Sequence, residues 1–203
     1  MSRLPWLFVL AATLAAFAGF MVSRYVAKPA PELSSLTLYG EARALPEFTL
    51  ERAAGGEFGL ADLRGKLSLV FFGFTHCPDV CPTTLATMRE IETRLQGDPA
   101  LARLQMVFVS VDPERDSAAD LQQYAAAFSP AIIALRGEDA ALEPLTRSIG
   151  VVYQRRIDES GQPMVDHSVQ ISLIDPNGHM IGVIRPPHQG EQIAADLRRL
   201  VTQ

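Results

Sequence analysis

The sequence predicts an α/β protein in which helices flank a mixed central sheet, with one transmembrane helix at the N-terminus. Three observations support this fold class. Patterns typical of strands and of helices alternate along most of the chain. The runs Leu67–Phe74 and Met106–Val111 are almost continuously apolar, as expected for strands that are buried on both faces of a sheet. The segment Leu4–Val22 contains nineteen residues without a charge, which is long enough to cross a bilayer as a helix.

The N-terminal run allows three interpretations. As a helix it would measure about 29 Å, close to the hydrocarbon thickness of about 30 Å. It could instead be a cleaved signal peptide, because Ala16-Phe17-Ala18 resembles a small-x-small cleavage site, or a helix of the folded core. We interpret residues 1–28 as a membrane anchor, residues 29–39 as a linker containing proline and serine, and residues 40–203 as one folded domain.

Further elements follow from periodicity and from turn residues. Short strands at Phe48–Leu50 and Glu57–Leu60 predict a hairpin around two glycines. Ser117 with Asp120 is typical of a helix start, and Asp175-Pro176-Asn177-Gly178 predicts a turn between two strands. The predicted helices are residues 83–95, 117–128, 140–149 and 191–201, and the remaining predicted strands are residues 131–135, 151–157, 168–175 and 180–185.

The charge distribution excludes one large class of function. The chain has a net charge of −5, and its first 28 residues contain Arg3, Arg24 and Lys28 but no acidic residue. The rest of the chain is therefore more acidic than the total suggests. Nucleic-acid binding depends on basic patches, so we expect no nucleic-acid partner.

The two cysteines form the clearest candidate site. Cys77 and Cys81 are the only cysteines, and they lie between a buried strand and a helix. This position favours the thioredoxin-like version of the α/β fold, and the helix N-terminus favours a thiolate. Three residues separate the cysteines, whereas redox motifs of thioredoxins have two. The spacing favours metal binding over fast dithiol exchange, although a redox-active disulfide between Cys77 and Cys81 stays open and a purely structural one would close too short a loop.

A third metal ligand has to come from elsewhere in the chain. His167 directly precedes a predicted strand, and we expect the loop that enters this strand to lie beside the loop of the two cysteines; on the residues alone its role as a ligand stays open. Asp79 and Asp166 adjoin the candidate ligands and are expected as supporting groups behind them. Two thiolates and one imidazole would suit a copper ion.

Three motifs together resemble the Sco/SenC family of copper-binding proteins that assemble cytochrome c oxidase. They are FFGFTHCPDVCPTTL at 71–85, SVDPERD at 110–116 and VDHS…LIDPNG at 165–178, and the resemblance covers residues 40–202. It implies a thioredoxin-like fold and a copper ion bound by Cys77, Cys81 and His167. It also implies a copper metallochaperone, not an enzyme, that delivers the metal to the dinuclear copper site of a cytochrome c oxidase subunit.

Two other functions remain alternatives. A thiol–disulfide oxidoreductase would reduce the cysteines of the copper acceptor through Cys77 and Cys81, without needing His167. A peroxidase of the peroxiredoxin type would need an arginine near Cys77, and none is evident in the sequence. The resemblance implies a single-pass protein of the bacterial inner membrane, with its soluble domain in the periplasm. Its expected partners are the copper-bearing oxidase subunit and other periplasmic copper chaperones or thiol reductants.

Overall fold

The structure is a computed structural model that describes residues 4–26, 33–157, 159 and 161–201. The chain divides into two units, Met1–Glu32 and Leu33–Gln203. The first unit contains the helix α1, Leu4–Val26. Among the described residues, no helix combines the length and the hydrophobicity needed to span a bilayer, so the structure does not supply the predicted transmembrane helix.

The second unit contains ten strands and six helices among its described residues. The strands are β1 Leu36–Ala44, β2 Thr49–Arg52, β3 Glu57–Gly59, β4 Leu67–Gly73, β5 Leu104–Ser110, β6 Ile132–Arg136, β7 Tyr153–Ile157, β8 Pro163–His167, β9 Ile171–Ile174 and β10 His179–Ile184. The helices are α2 Leu60–Leu63, α3 Val80–Arg94, α4 Pro99–Ala102, α5 Ala118–Phe128, α6 Asp139–Ile149 and α7 Gly190–Val201.

A mixed eight-stranded sheet forms the centre of this unit, as predicted. Its order is β1-β10-β9-β4-β5-β6-β2-β3. The pairs β4–β5 and β5–β6 are parallel, whereas the other neighbours are antiparallel. All seven residues of β4 are buried, which is the burial that its continuous apolar sequence predicts for a strand covered on both faces. The loop that leads to Cys77 and Cys81 therefore starts from a fully buried strand of the sheet.

Strands β1 and β8 are the main elements that the sequence patterns do not predict. Strand β1 begins at Leu36, inside the segment interpreted as linker, while residues 29–32 of that segment lie outside the described residues. Only Leu36 is buried in β1 and only Val165 in β8, so neither strand carries a strong apolar signal. Strand β8 pairs with β7 in a separate two-stranded sheet, which we call the histidine hairpin.

A buried carboxylate fastens the start of the second unit to its last helix. Asp196 lies on α7 and is fully buried. Its Oδ2 atom accepts hydrogen bonds from the backbone N–H groups of Ser34 and Ser35, at 2.8 and 2.7 Å, and from the Ser35 hydroxyl at 2.7 Å. A buried carboxylate needs hydrogen-bond donors, and here the two residues before β1 supply them, which fixes where the chain enters β1.

We expect Asp196→Ala to lower the free energy of unfolding by about 3 kcal/mol, because the substitution removes three hydrogen bonds to a charged, buried acceptor. Urea denaturation followed by circular dichroism would measure the change. Glu191→Ala is the matched control on the same helix, since the Glu191 side chain is 76% exposed. The control should change the free energy by less than about 0.5 kcal/mol. Equal effects of the two variants would contradict the role assigned to Asp196.

Candidate metal centre

The loop between β4 and α3, which we call the cysteine loop, carries Cys77, and the first turn of α3 carries Cys81. Helix α3 begins at Val80, three residues earlier than the sequence pattern predicts. The early start includes Pro82, which is tolerated there because the first N–H groups of a helix have no partner within the helix. Cys81 therefore lies inside the first turn and is completely buried. Cys77 precedes the helix in the loop and is partly exposed.

The sulfur of Cys77 takes the place of a helix-capping side chain. Asp79 occupies the capping position, but its side chain makes no capping hydrogen bond. Instead, the backbone N–H of Cys81 donates to Cys77 Sγ at 3.4 Å. An N–H group at a helix start prefers a negatively charged acceptor, so this geometry stabilises a thiolate at Cys77.

The histidine hairpin brings the third side chain to the cysteines. His167 is the last residue of β8 and lies opposite Tyr153 of β7. The sequence pattern had placed it in a loop, so this part of the prediction is corrected. Its Nδ1 atom lies 3.0 Å from the carbonyl oxygen of Ser168. A carbonyl can only accept, so Nδ1 carries the proton in the neutral ring and Nε2 keeps its lone pair. Nε2 lies 3.4 Å from Cys81 Sγ.

These three side chains form a geometry that can hold one metal ion. The ligand atoms of Cys77, Cys81 and His167 all lie within 4.8 Å of one another. First-row metals hold thiolate and imidazole ligands at about 2.0–2.3 Å, so two ligands of one ion lie up to about 4.6 Å apart. The donors therefore fit a single ion with little adjustment. Residues separated by 86 positions in sequence, Cys81 and His167, meet only because the hairpin packs beside α3.

The two thiols differ in their acidity. The hydrogen bond from the Cys81 thiol lowers the pKa of Cys77 to about 5. The backbone N–H groups of Asp79 and Cys81 lower this pKa further. The same hydrogen bond, together with burial, raises the pKa of Cys81. The metal-free centre thus contains one thiolate, at Cys77, and one protonated thiol, at Cys81. A metal that binds both sulfurs must displace the remaining proton.

We expect iodoacetamide to alkylate Cys77 before Cys81, since only a thiolate is an effective nucleophile. As the pH is lowered from neutral, the rate at Cys77 should first stay constant. It should fall to half near pH 5, where this thiolate becomes protonated. Mass spectrometry of the reduced, metal-free chain would give the rates. In Cys81→Ala the thiol that donates to Cys77 is lost while the backbone N–H remains, so the midpoint should rise. A midpoint near the ordinary cysteine value of about 8.5 in the unsubstituted chain would contradict this assignment.

The two predicted supporting carboxylates lie near the ligands without contacting the imidazole. The Asp79 side chain is exposed at the start of α3. Asp166 pairs with Arg156 across the histidine hairpin at 2.6 Å. The Nδ1 atom of His167 is held by the Ser168 carbonyl, not by the neighbouring carboxylate of Asp166. Their supporting role stays a prediction.

Several residues that shape the centre were not assigned from the sequence. The rings of Phe71 and Phe74 contact the imidazole of His167 edge-on, each with a centroid separation of 5.9 Å. Gly73 ends β4 directly against Cys81: a Cβ atom there would lie 2.6 Å from Cys81 Sγ. Asp116 accepts hydrogen bonds from Thr75 in the cysteine loop. The motif at 110–116 was the available signal for Asp116, although the sequence alone gave it no role.

Comparison with solved structures shows similarity over most of the chain. The structure of Bradyrhizobium japonicum ScoI with copper bound is similar with a TM-score of 0.69 and 33% identity, covering 77% of this chain and 98% of that one. The solution structure of apo Sco1 from Thermus thermophilus is similar with a TM-score of 0.74 and 32% identity, covering 84% of this chain and 99% of that one.

Sequence comparison gives the same result. A putative copper-binding protein of Stutzerimonas stutzeri is 32% identical over 154 residues, which are 76% of this chain and 75% of that protein. The mitochondrial SCO2 homolog of Bos taurus is 37% identical over 140 residues, which are 68% of this chain. The match spans about half of the mitochondrial relative, 53%. The family model described as SCO1/SenC matches residues 37–202, and the chain therefore belongs to the SCO1/SenC family.

Proposed function

We propose that this protein binds one copper ion through Cys77, Cys81 and His167 and delivers it during the assembly of cytochrome c oxidase. The observation that carries the proposal is the convergence of two sulfurs and an imidazole nitrogen within 4.8 Å. Membership of the SCO1/SenC family and the copper-bound structures of related proteins support the same metal.

The donor set favours copper for a chemical reason. Soft thiolate ligands select Cu(I), and imidazole suits copper as well. A structural zinc site would normally have four protein ligands, whereas this cluster offers three. Three ligands leave room for a donor from another protein, which a delivery protein requires. Under this proposal, copper is the substance that the protein carries and hands on, not a cofactor that it keeps.

Delivery to an oxidase would place the domain outside the cytoplasm. The uncharged run from Leu4 to Val22 supports attachment to a membrane. We propose the periplasmic face of a bacterial inner membrane. Fractionation of cells that produce the full chain, followed by protease treatment of intact spheroplasts, would test this location. Protection of the domain from protease would contradict it.

Copper titration of the reduced full chain tests the binding site directly. We expect one Cu(I) per chain in competition with a coloured chelator. Cys77→Ala, Cys81→Ala and His167→Ala should each weaken binding by at least about tenfold, because each removes one of three ligands. Tyr39→Ala, in β1, is the matched control and should bind like the unsubstituted chain. An affinity that does not respond to the three substitutions would refute the site.

A thiol–disulfide reductase remains the second candidate, and the state of the thiols favours it. Cys77 has a pKa of about 5 and is partly exposed, as an attacking thiolate must be. Such a protein would reduce the cysteines of the copper acceptor. The discriminating variant is His167→Ala: a reductase would keep its rate with a disulfide peptide, whereas copper delivery would fail. Both roles can occur in one protein, since acceptor cysteines must be reduced before they bind copper.

A further inference from the structure

We infer that the segment Ser110–Asp116, which begins at the last residue of β5, is a positioning element that fixes the distance between the two cysteines and His167. We call it the bridging segment. The inference rests on the proposed copper site, because it concerns how that site is held together. Its residues contact both the cysteine loop and the histidine hairpin.

The bridging segment holds the cysteine loop through its last residue. Asp116 is completely buried. Its carboxylate accepts hydrogen bonds from the Thr75 hydroxyl at 2.6 Å and the Thr75 backbone N–H at 3.1 Å, and from the Ser110 hydroxyl at 2.5 Å. Thr75 lies two residues before Cys77. One buried carboxylate therefore joins both ends of the bridging segment to the cysteine loop.

The same segment holds the histidine hairpin through a backbone group and a side chain. The carbonyl oxygen of Val111 accepts two hydrogen bonds from the guanidinium of Arg155 in β7, at 3.1 and 2.8 Å. Arg115 donates to the carbonyl oxygen of Pro163, the first residue of β8, at 2.8 Å. The buried Asp112 pairs with Arg115 at 2.5 Å and with Arg155 at 3.9 Å.

Val111 contacts both the end of β4 and the histidine hairpin. Its N–H donates to the carbonyl oxygen of Gly73 at 2.9 Å, where β4 ends and the cysteine loop starts. Its carbonyl faces Arg155 on the other side. The two groups belong to adjacent peptide units that meet at the Cα of the fully buried Val111, so one packed residue links the hairpin to the end of β4. The histidine hairpin belongs to a separate sheet, and these contacts replace the strand pairing that would otherwise hold it.

Arg155 and Asp116 are thus positioning residues that act through different ligands. Arg155 holds the hairpin of His167, whereas Asp116 holds the loop of Cys77. Loss of groups that orient metal ligands typically lowers metal affinity 10- to 100-fold. The effect of each residue should therefore depend differently on whether His167 is present.

The test is a pair of double-mutant cycles with Cu(I) affinity as the readout. Arg155→Gln and Asp116→Asn are each made in the unsubstituted full chain and in His167→Ala. We expect Arg155→Gln to lower affinity about 10- to 100-fold in the unsubstituted chain but less than about twofold in His167→Ala, because its effect passes through the imidazole. Asp116→Asn should lower affinity in both backgrounds. Arg147→Gln, at an exposed ion pair with Glu143, is the control.

One further measurement separates positioning from general destabilisation, and one further variant replaces Asp116→Asn if it does not fold. The thiolate-to-Cu(II) absorption band should change in Arg155→Gln but not in Arg147→Gln. Should Asp116→Asn fail to fold, Thr75→Val removes the hydroxyl that donates to Asp116 and should also lower Cu(I) affinity in both backgrounds.

The inference is overturned if Arg155→Gln leaves the affinity unchanged, or lowers it equally with and without His167. In those cases the copper site itself stands as long as His167→Ala weakens binding. Indifference of the affinity to His167 would refute the proposed site and this inference together.

Discussion

Replacing Gly73 with alanine is expected to displace the Cys81 sulfur and to lower Cu(I) affinity on the order of 100-fold. The added Cβ would lie 2.6 Å from Cys81 Sγ and 3.0 Å from the ring of Phe108. A contact of 2.6 Å does not occur in relaxed structures and one of 3.0 Å is tight, so the sulfur or the end of β4 has to move. Overpacking of a buried position also costs about 1–3 kcal/mol of folding free energy.

A second glycine provides the control for the Gly73 prediction. Gly40, in β1, would place its Cβ in open space, and neither glycine has a positive φ that would strain an alanine. Gly40→Ala should therefore leave both copper affinity and stability close to their original values. Chelator competition and urea denaturation give the two quantities. Normal copper binding by Gly73→Ala would show that the centre tolerates a shift of Cys81.

Phe71→Ala is expected to cause the largest loss of stability, about 3–5 kcal/mol. Phe71 is completely buried in the middle of the sheet. Its ring stacks on Phe108 at 6.1 Å and meets the His167 imidazole at 5.9 Å, so its loss opens a cavity directly beneath the metal centre. Domains of this size are usually stable by about 5–15 kcal/mol, which makes this loss a large share of the total.

Urea denaturation of Phe71→Ala measures the predicted loss of unfolding free energy. Ile157→Ala, on the histidine hairpin, is the matched truncation of an exposed apolar side chain, since Ile157 is 65% exposed. It should change the free energy by no more than about 0.5 kcal/mol. A loss below about 1 kcal/mol in Phe71→Ala would mean that the neighbouring rings close the cavity.

The predictability of the fold follows the burial of its elements. Strand β4 was predicted because all of its side chains are buried, and its sequence is accordingly apolar throughout. Helix α5 was predicted from its cap, and the Ser117 hydroxyl does accept a hydrogen bond from the Asp120 N–H at 3.2 Å. The mostly exposed strand β8 was missed, because pairing with β7 leaves only Val165 buried and so requires little apolar sequence.

The candidate site was only partly predictable from the residues. The spacing of Cys77 and Cys81 between a strand and a helix indicated a site on local grounds. The meeting of Cys81 with His167 depends on the docking of a hairpin 86 positions away, which no local pattern encodes; the family resemblance supplied it. The roles of Gly73 and Asp116 depend on a close approach and on buried hydrogen bonds. Both require three-dimensional neighbours.

The uneven burial of the three ligands imposes an order on copper release under the proposed function. Cys81 is completely enclosed, whereas Cys77 and His167 are partly exposed. A ligand from an incoming protein would therefore approach from the side of Cys77 and His167 rather than from that of Cys81. Those two bonds would be exchanged first, and the bond to Cys81 would break last. The buried sulfur would thus keep the ion attached while the acceptor assembles its own ligands around it, so that free copper is never released into the solvent.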